Sequence, residues 1–348
     1  MRMNKQLLCL LVLVLMASLS FAAGEGGWRQ GTELTGMLMQ SPMVYFDHKL
    51  ITPRWPNYIQ ILPVTDTGEV GEWNGFAPQG LTVYRESSIT TTDKYMFISG
   101  GYYETIMYQG GHVAALYQLT LSPDSIGYVV YSGSMDTPRG KHSSLMVNDY
   151  LYMFGGRNWN NGVANTFLKT VSYAKFNRTT ERLEAFQPGY PFKHIQGPVY
   201  SSFRLGNKVY CYGLYKYDGS MEDPVCYIES ADIQEDGKLG DWTVVGGPYD
   251  HYVPVSAVFT QQSTLFVFVN RKSSSETINP CYVMDLKDSG VEGNKFKSVT
   301  GFTPSILGGS DLGLGTWGRF VYLLNNYHCL YDPLLTSTTL FEEPTEKR

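Results

Sequence analysis

Charge is scarce in this chain. Among 348 residues, Lys and Arg supply 27 and Asp and Glu 32, so that charged residues make up 17% and the net charge is −5. With a pI near 5.7, there is no excess of positive charge to neutralise phosphates, which removes the electrostatic case for nucleic acid or an anionic membrane as partner. Sustained helical periodicity is missing, and no low-complexity linker divides the body of the chain. Past the first residues, no segment approaches the ~20 apolar residues that a spanning helix requires. The catalytic signatures G-x-S-x-G and H-E-x-x-H are absent. There is no Cys-x-x-Cys, and the six histidines stand singly, so neither a metal nor a cofactor is expected.

Aromatic residues and glycine are abundant: 26 Tyr, 17 Phe, 6 Trp and 36 Gly. Aromatic residues suit half-buried pleated surfaces and glycine suits the turns between short strands, which together point to an all-β chain. The first residues read as an export leader. Arg2 and Lys5 form a positive start, Leu7 to Met16 carries no charge, and Ser20-Phe21-Ala22 places small residues at the −3 and −1 positions of a cut after Ala22. The expectation is a secreted or, in a bacterium, periplasmic protein, with residues 1–22 removed and 23–348 forming one domain.

Four cysteines then remain, Cys211, Cys226, Cys281 and Cys329. They allow three pairings in an oxidising compartment. Cys211 with Cys226, on consecutive strands of one expected hairpin, is the pairing preferred. Asn177-Arg178-Thr179 is a glycosylation acceptor in a polar turn if the source is eukaryotic.

One unit recurs six times. Its clearest copy runs from Ser143 to Gly156, two alternating apolar runs around an Asn-Asp turn, which is a hairpin signature. The same shape begins at Ser41, Ser87, Ser201, Ser256 and Ser310, and successive serines lie 46, 56, 58, 55 and 54 residues apart. Between hairpins a third strand, a tight turn and an aromatic-led fourth strand repeat as well. Asp66 to Trp73 matches Glu235 to Trp242 in both glycines and in the tryptophan. Seven segments compete for the outer strand, starting near Trp28, Trp73, Tyr128, Leu183, Trp242, Phe296 and Leu340. A strand from one terminus completing the last sheet would remove two open edges; the segment at Trp28 is preferred over Thr339 to Glu343 for this role.

Tyr152-Met153-Phe154-Gly155-Gly156 and Ser99-Gly100-Gly101, each followed by an aromatic strand, resemble the kelch repeat, whose period is ~50 residues. The resemblance covers nearly the whole mature chain. The double glycine is lost in the fourth, fifth and sixth copies, at Tyr212-Gly213-Leu214, Phe268-Val269-Asn270 and Leu324-Asn325-Asn326. It implies a six-bladed kelch-type β-propeller, similar to the central domain of galactose oxidase and to exported propellers of the sialic acid mutarotase type, with seven blades, one incomplete, as the alternative.

In such a ring, the segments leading into each first strand and the loops joining second to third strands share one face. Loops longer than a turn requires tend to be the functional ones. On that face the candidate ligand-binding residues are Arg54, Trp55, Tyr103, Arg139, Arg157, Trp159 and Arg271, since rings stack on the apolar faces of sugars and guanidinium groups grip anions at two points. For Arg139 and His142 a backbone-bonding role inside the repeat outweighs the ligand reading. The leading expectation is a non-catalytic module that binds a glycan or an extracellular protein. The alternative is a sugar mutarotase, with His194, Glu86 or Glu104 transferring the proton and Arg139, Arg157 or Arg271 holding a carboxylate. Two further motifs lose to the repeat. Gly313 to Gly318 fits G-x-G-x-x-G but lies within an expected β-hairpin. Asp232, Asp236 and Asp241 have the wrong spacing for a calcium loop.

Overall fold

The computed structural model describes residues 28–33, 42–104, 110–122, 125–159, 166–215, 225–249, 254–259, 264–269, 271–272, 277–278, 281–286, 296–299, 313–317, 320–324, 327–331 and 341–342. The leader expected at 1–22 lies outside these residues. Every element among them is a β-strand. Six antiparallel sheets of four or five strands follow one another along the chain. Their innermost strands are Val44–Phe46, Ser88–Thr91, Ser143–Val147, Val199–Leu205, Pro254–Phe259 and Gly313–Trp317. Each packs against the next and the last packs against the first, which closes the ring. The chain is thus an all-β propeller, and these sheets are numbered here as blades 1 to 6.

The two termini divide the outer positions. Trp28–Glu33 pairs with Tyr327–Tyr331 and becomes the outer strand of blade 6, with Trp28 opposite Tyr331. Phe341–Glu342 pairs with Lys297–Val299 and adds a fifth strand to blade 5. Seven outer-strand segments therefore fit six blades.

The serine pairs that open the second, third and fourth repeats, at Ser87, Ser143 and Ser201, have a physical reason. Around the central channel, Ser88 Oγ lies 2.8 Å from Ser144 Oγ and Ser143 Oγ lies 2.7 Å from Ser202 Oγ. Ser201 Oγ accepts the Phe259 N–H at 3.1 Å, and Thr316 Oγ1 donates to the Phe259 carbonyl at 3.5 Å. Short hydroxyl side chains thus tie blades 2 to 6 in sequence where the strands crowd together, each bond contributing a net ~1 kcal/mol. Larger side chains could not approach so closely. The channel holds a cavity of about 360 Å³ lined by all six innermost strands.

Farther out, the blades are joined by apolar packing. Between blades 3 and 4, Trp242 is 1% exposed, with Phe192 at 4.5 Å and Phe154 at 5.7 Å between ring centroids. Trp73 packs against Met43, Leu50, Leu62, Val64 and Tyr322, which join blades 6 and 1. The two turns matched by sequence also match in structure. Gly68 and Gly237 both adopt φ of +82°, and the Gly68 and Gly237 N–H groups donate to Thr65 and Gln234 carbonyls at 2.9 Å. A tyrosine of the preceding blade reaches each turn: Tyr322 Oη donates to Gly68 O at 3.2 Å, and Tyr152 Oη accepts from the Leu239 N–H at 2.8 Å.

The double glycines are junctions between blades. Gly101 N–H donates to Arg139 O at 2.8 Å and Gly156 N–H to Gly197 O at 2.7 Å, each reaching the segment that leads into the next blade. Gly155 has φ of +55°, and a Cβ there would meet Val199 Cγ2 at 2.7 Å and Gly197 O at 2.8 Å at the entry to blade 4.

The cysteine pairing is corrected by the register. Cys211 lies opposite Glu229, whereas Cys226 lies opposite Leu214, an odd offset that sends the two thiols to opposite faces of blade 4. Cys226 enters the core shared with blade 5 and Cys211 the core shared with blade 3. Both are free and buried, as is Cys281. Burial pushes all three thiol pKa values upward, Cys226 to about 12.

Two outcomes follow from this packing. Gly206, at φ of +58° with nothing near a Cβ, isolates the backbone term, so Gly206→Ala should cost about 1–2 kcal/mol. Gly155→Ala, at nearly the same φ, should cost clearly more by denaturant midpoint, because it adds the collision with the entry to blade 4; equal costs would remove the junction role. Thiol reagents should label Cys211, Cys226 and Cys281 only in denaturant, and protection of the Cys211 and Cys226 thiols that yields to reductant alone would restore the discarded pairing.

Candidate functional site

The face carrying the lead-in segments is extended by two-stranded ribbons. Tyr102–Glu104 pairs with Gly110–His112 in blade 2, and Arg157–Asn158 with Thr166–Phe167 in blade 3. Single bridges join Arg85 to Tyr102 and Gly140 to Arg157, so each lead-in is stitched to its own ribbon. Where blades 2 and 3 meet, these elements enclose Glu86.

Glu86 has φ of +60° and Lys141, in the corresponding place of blade 3, +51°. Left-handed backbone costs a residue other than glycine roughly 1–3 kcal/mol, and such strain gathers at functional sites. The strain is held by the Lys141 N–H, which donates to the Glu86 carbonyl at 3.0 Å. The Glu86 side chain is 9% exposed. Arg157 grips its carboxylate at two points, Nε to Oε2 at 3.2 Å and Nη2 to Oε1. His112 Nε2 lies 3.2 Å from Oε2, and Lys141 Nζ lies 3.8 Å from Oε1.

The histidine tautomer follows from its other nitrogen. The Trp159 N–H donates to His112 Nδ1 at 2.6 Å, so Nδ1 is the acceptor and the ring proton sits on Nε2, aimed at Glu86. The His112 N–H in turn donates to Trp159 O at 2.8 Å. Gly140 makes room for this packing: a Cβ there would meet His112 Cδ2 at 2.4 Å and Glu86 Oε2 at 2.9 Å. Tyr102 completes the wall, with its ring centroid 5.4 Å from His112 and 5.5 Å from Trp159.

Burial by itself raises the Glu86 pKa. The His112 hydrogen bond, the Arg157 charge and hydrogen bonds, and the Lys141 charge outweigh it and hold the carboxyl at about 2. The cluster therefore presents an ionised, fully engaged carboxylate that fixes Arg157, with Trp159 beside it.

The remaining candidates are placed as follows. Arg139 is wholly buried. It donates to Gly155 O at 3.1 Å and Ser172 Oγ at 3.4 Å, with Asp136 at 3.5 Å, so it braces the junction beneath the face. Its companion His142 is 5% exposed, with Nε2 lying 2.9 Å from Ser99 Oγ. Desolvation, then the Arg139 charge, pushes its pKa well down, so it is neutral. Arg54 is 4% exposed, and desolvation lowers its pKa. Trp55 and Tyr103 stand outward at 55% and 40% exposure. His194 is exposed and stacks on Tyr227 at 4.8 Å and 17°. Beneath it the fully buried Glu229 accepts the Lys193, His194 and Ile195 N–H groups at 2.6–2.7 Å. Glu104 and Arg271 lie in ribbon strands, the latter opposite Ile278; their side chains lie outside what is described.

Asn177 ends the third strand of blade 3. Its Oδ1 accepts the Thr179 and Thr180 N–H groups at 3.0 and 3.1 Å in an exposed turn. Gly313–Trp317 is the innermost strand of blade 6. Asp232, Asp236 and Asp241 each pair with a lysine, Lys208, Lys238 and Lys193. Among the described residues no cluster of His, Cys, Asp or Glu could hold a metal.

Sequence reasoning thus named Glu86, Arg157 and Trp159 separately, and the fold brings them together. It missed His112 and Glu229. The run Gly110-Gly111-His112 carries no motif, and Glu229 sits in an apolar strand where only its burial marks it.

No protein-family model matches the chain, and no curated protein matches it. Among solved structures, that of YjhT is similar over 86% of this chain and 95% of that one, with TM-score 0.55 and 11% identity. At that identity the likeness concerns the propeller fold alone.

The ionisation of Glu86 is coupled to stability. Its folded pKa of about 2 lies below the ordinary 4.5, so its stabilisation is complete above pH ~4.5 and lost as pH falls toward ~2, on the order of 3 kcal/mol. Glu86→Gln should therefore lower stability at neutral pH and flatten the acid limb across that window. An acid limb identical to wild type would contradict the assignment.

Proposed function

We infer that this chain is a secreted kelch-type propeller that acts as a binding module, taking a glycan or an extracellular protein onto the face that carries Arg157 and Trp159. The observation that carries this reading is the company of the Glu86 cluster. Among the described residues five large hydrophobic side chains are strongly exposed, and three of them, Trp55, Tyr58 and Tyr103, stand on this face. Exposed rings on the same face as a fixed guanidinium suit sugar faces and planar polar groups. The double glycines at 100–101 and 155–156, each bonded to the following blade, support the kelch-type assignment.

Glu86 also speaks for binding rather than proton transfer. A general acid or base works best with a pKa near the operating pH. A carboxylate held at about 2 by His112, Arg157 and Lys141 stays ionised and committed to its partners.

The second reading is a sugar mutarotase, and the observation that favours it is His194, which is exposed and supported from below by Glu229. Anomer exchange of sialic acid followed by NMR separates the two. The binding reading expects the exchange rate to be unchanged on adding protein; acceleration abolished by His194→Ala would establish the enzyme.

On a glycan array, Trp159→Ala should weaken binding about tenfold or more while thermal unfolding stays near wild type. Arg157→Ala should weaken it as well, with some loss of stability because Glu86 loses its partner. Undiminished binding by both variants would remove this face as the binding surface.

A further inference from the structure

A second site lies away from that face, on the flank where the outer edge of blade 3 meets the turn between the third and fourth strands of blade 4. A cleft of about 800 Å³ opens there, walled on one side by Pro188, Tyr190 and Pro191 and on the other by Gln234, Glu235 and Asp236. Tyr190 is 57% exposed. A flexible loop would fold such a ring against the body to remove apolar surface from water. This one is kept out by its frame. Gly189 N–H donates to Val171 O at 2.8 Å and Phe192 N–H to Lys169 O at 3.1 Å, Gln187 and Pro188 pair with Tyr173 and Ser172, and Phe192 is buried against Trp242. Pro188 and Pro191 fix φ two residues before and one after the tyrosine, and Gly189 between them is held by its bond to Val171 O, so little backbone freedom remains to be lost when a ligand covers the ring.

The opposite wall is equally rigid. Gln234 N–H donates to Lys238 O at 2.7 Å and Gly237 N–H to Gln234 O at 2.9 Å. Lys238 Nζ lies 2.9 Å from Asp236 Oδ2 and 6.0 Å from the ring centroids of both Tyr150 and Tyr173. That lysine is thereby committed, and the wall offers an amide and two carboxylates around it. A flat ring facing rigid hydrogen-bond acceptors is the arrangement that grips a sugar: the ring covers its C–H face and the acceptors take its hydroxyl protons. The charge of the cleft selects further. Glu235 and Asp236 against the single Lys238 leave it negative, which disfavours carboxylated or sulfated sugars.

We propose that this flank cleft is a neutral-saccharide site, built on Tyr190 and the Gln234–Asp236 turn and independent of the Arg157 face. Its size suits a disaccharide or a short chain segment rather than a large ligand.

The test is saturation-transfer NMR on the full chain with neutral disaccharides (lactose, cellobiose, mannobiose and chitobiose), with sialyllactose and a proline-rich peptide as contrasts. At least one neutral disaccharide should receive saturation. Tyr190→Ala should weaken its binding about tenfold, Tyr190→Phe should retain it, and Trp159→Ala should leave it unchanged. Because Tyr190 is exposed, its replacements should keep the wild-type unfolding temperature. Binding that survives Tyr190→Ala would overturn the proposal, and so would the absence of binding to every neutral disaccharide. Loss with Trp159→Ala alone would assign saccharide binding to the upper face, ending the flank site while leaving the proposed function intact. Tyr190-dependent capture of the peptide in place of any sugar would also overturn it.

Discussion

The innermost strands of the ring come so near one another that serine hydroxyl reaches serine hydroxyl, and the rest of the architecture depends on that approach. At 2.7–2.8 Å, Ser88 with Ser144 and Ser143 with Ser202 leave no space for a larger side chain. Crowding at the hub and spreading at the rim then dictate the composition of each unit: hydroxyls at the channel, glycine where backbone must touch the next blade, aromatic rings where the gap widens. Trp242 and Trp73 fill outer wedges that Ser144 could not, and Ser144 sits where an indole would force the ring open.

The same junctions generate the candidate site. Because the segments leading into blades 2 and 3 bond to each other and to the second-to-third-strand ribbons of those blades, Glu86, Lys141, Arg157 and His112 are delivered to one place by main-chain bonds. Once there, electrostatics decides their states. A carboxylate removed from water would ordinarily take up a proton, yet one histidine N–H and a two-point guanidinium outweigh desolvation. The outcome is a stiff ionic post on which Arg157 and Trp159 are held. That supports recognition, where preorganisation favours affinity, and leaves little capacity for proton exchange.

The fold was largely legible because its period is carried by many residues at once. The serine-led hairpins identified six blades even where the double glycine is missing, since Tyr212-Gly213-Leu214 preserves the strand although not the motif. The strand at Trp28 closed blade 6 as its pattern suggested, while the rival segment near Leu340 found a different edge. What failed was long-range or parity-dependent. Cys211 and Cys226 stand on adjacent strands, and only the register reveals that an odd offset parts them. Glu86 and Arg157 stand 71 residues apart in the sequence with nothing local to join them, and His112 carries no signal because its Nδ1 partner is a main-chain N–H. Tyr190 carries no signal in the sequence, because a lone tyrosine near prolines looks like any turn; only the fold shows its exposure and the cleft beside it.

The claim at the centre is that the Glu86 carboxyl is a permanently ionised support for the binding face. The direct measurement is a ¹³C NMR titration of the side-chain carboxyl in the folded protein, with the Glu86 resonance assigned by its disappearance in Glu86→Gln. The account predicts no titration of that resonance from pH 8 down to pH 4 and a midpoint at about 2. A midpoint near neutrality would mean a carboxyl poised to trade protons, contradicting both the electrostatics described and the reading of this face as a site of recognition.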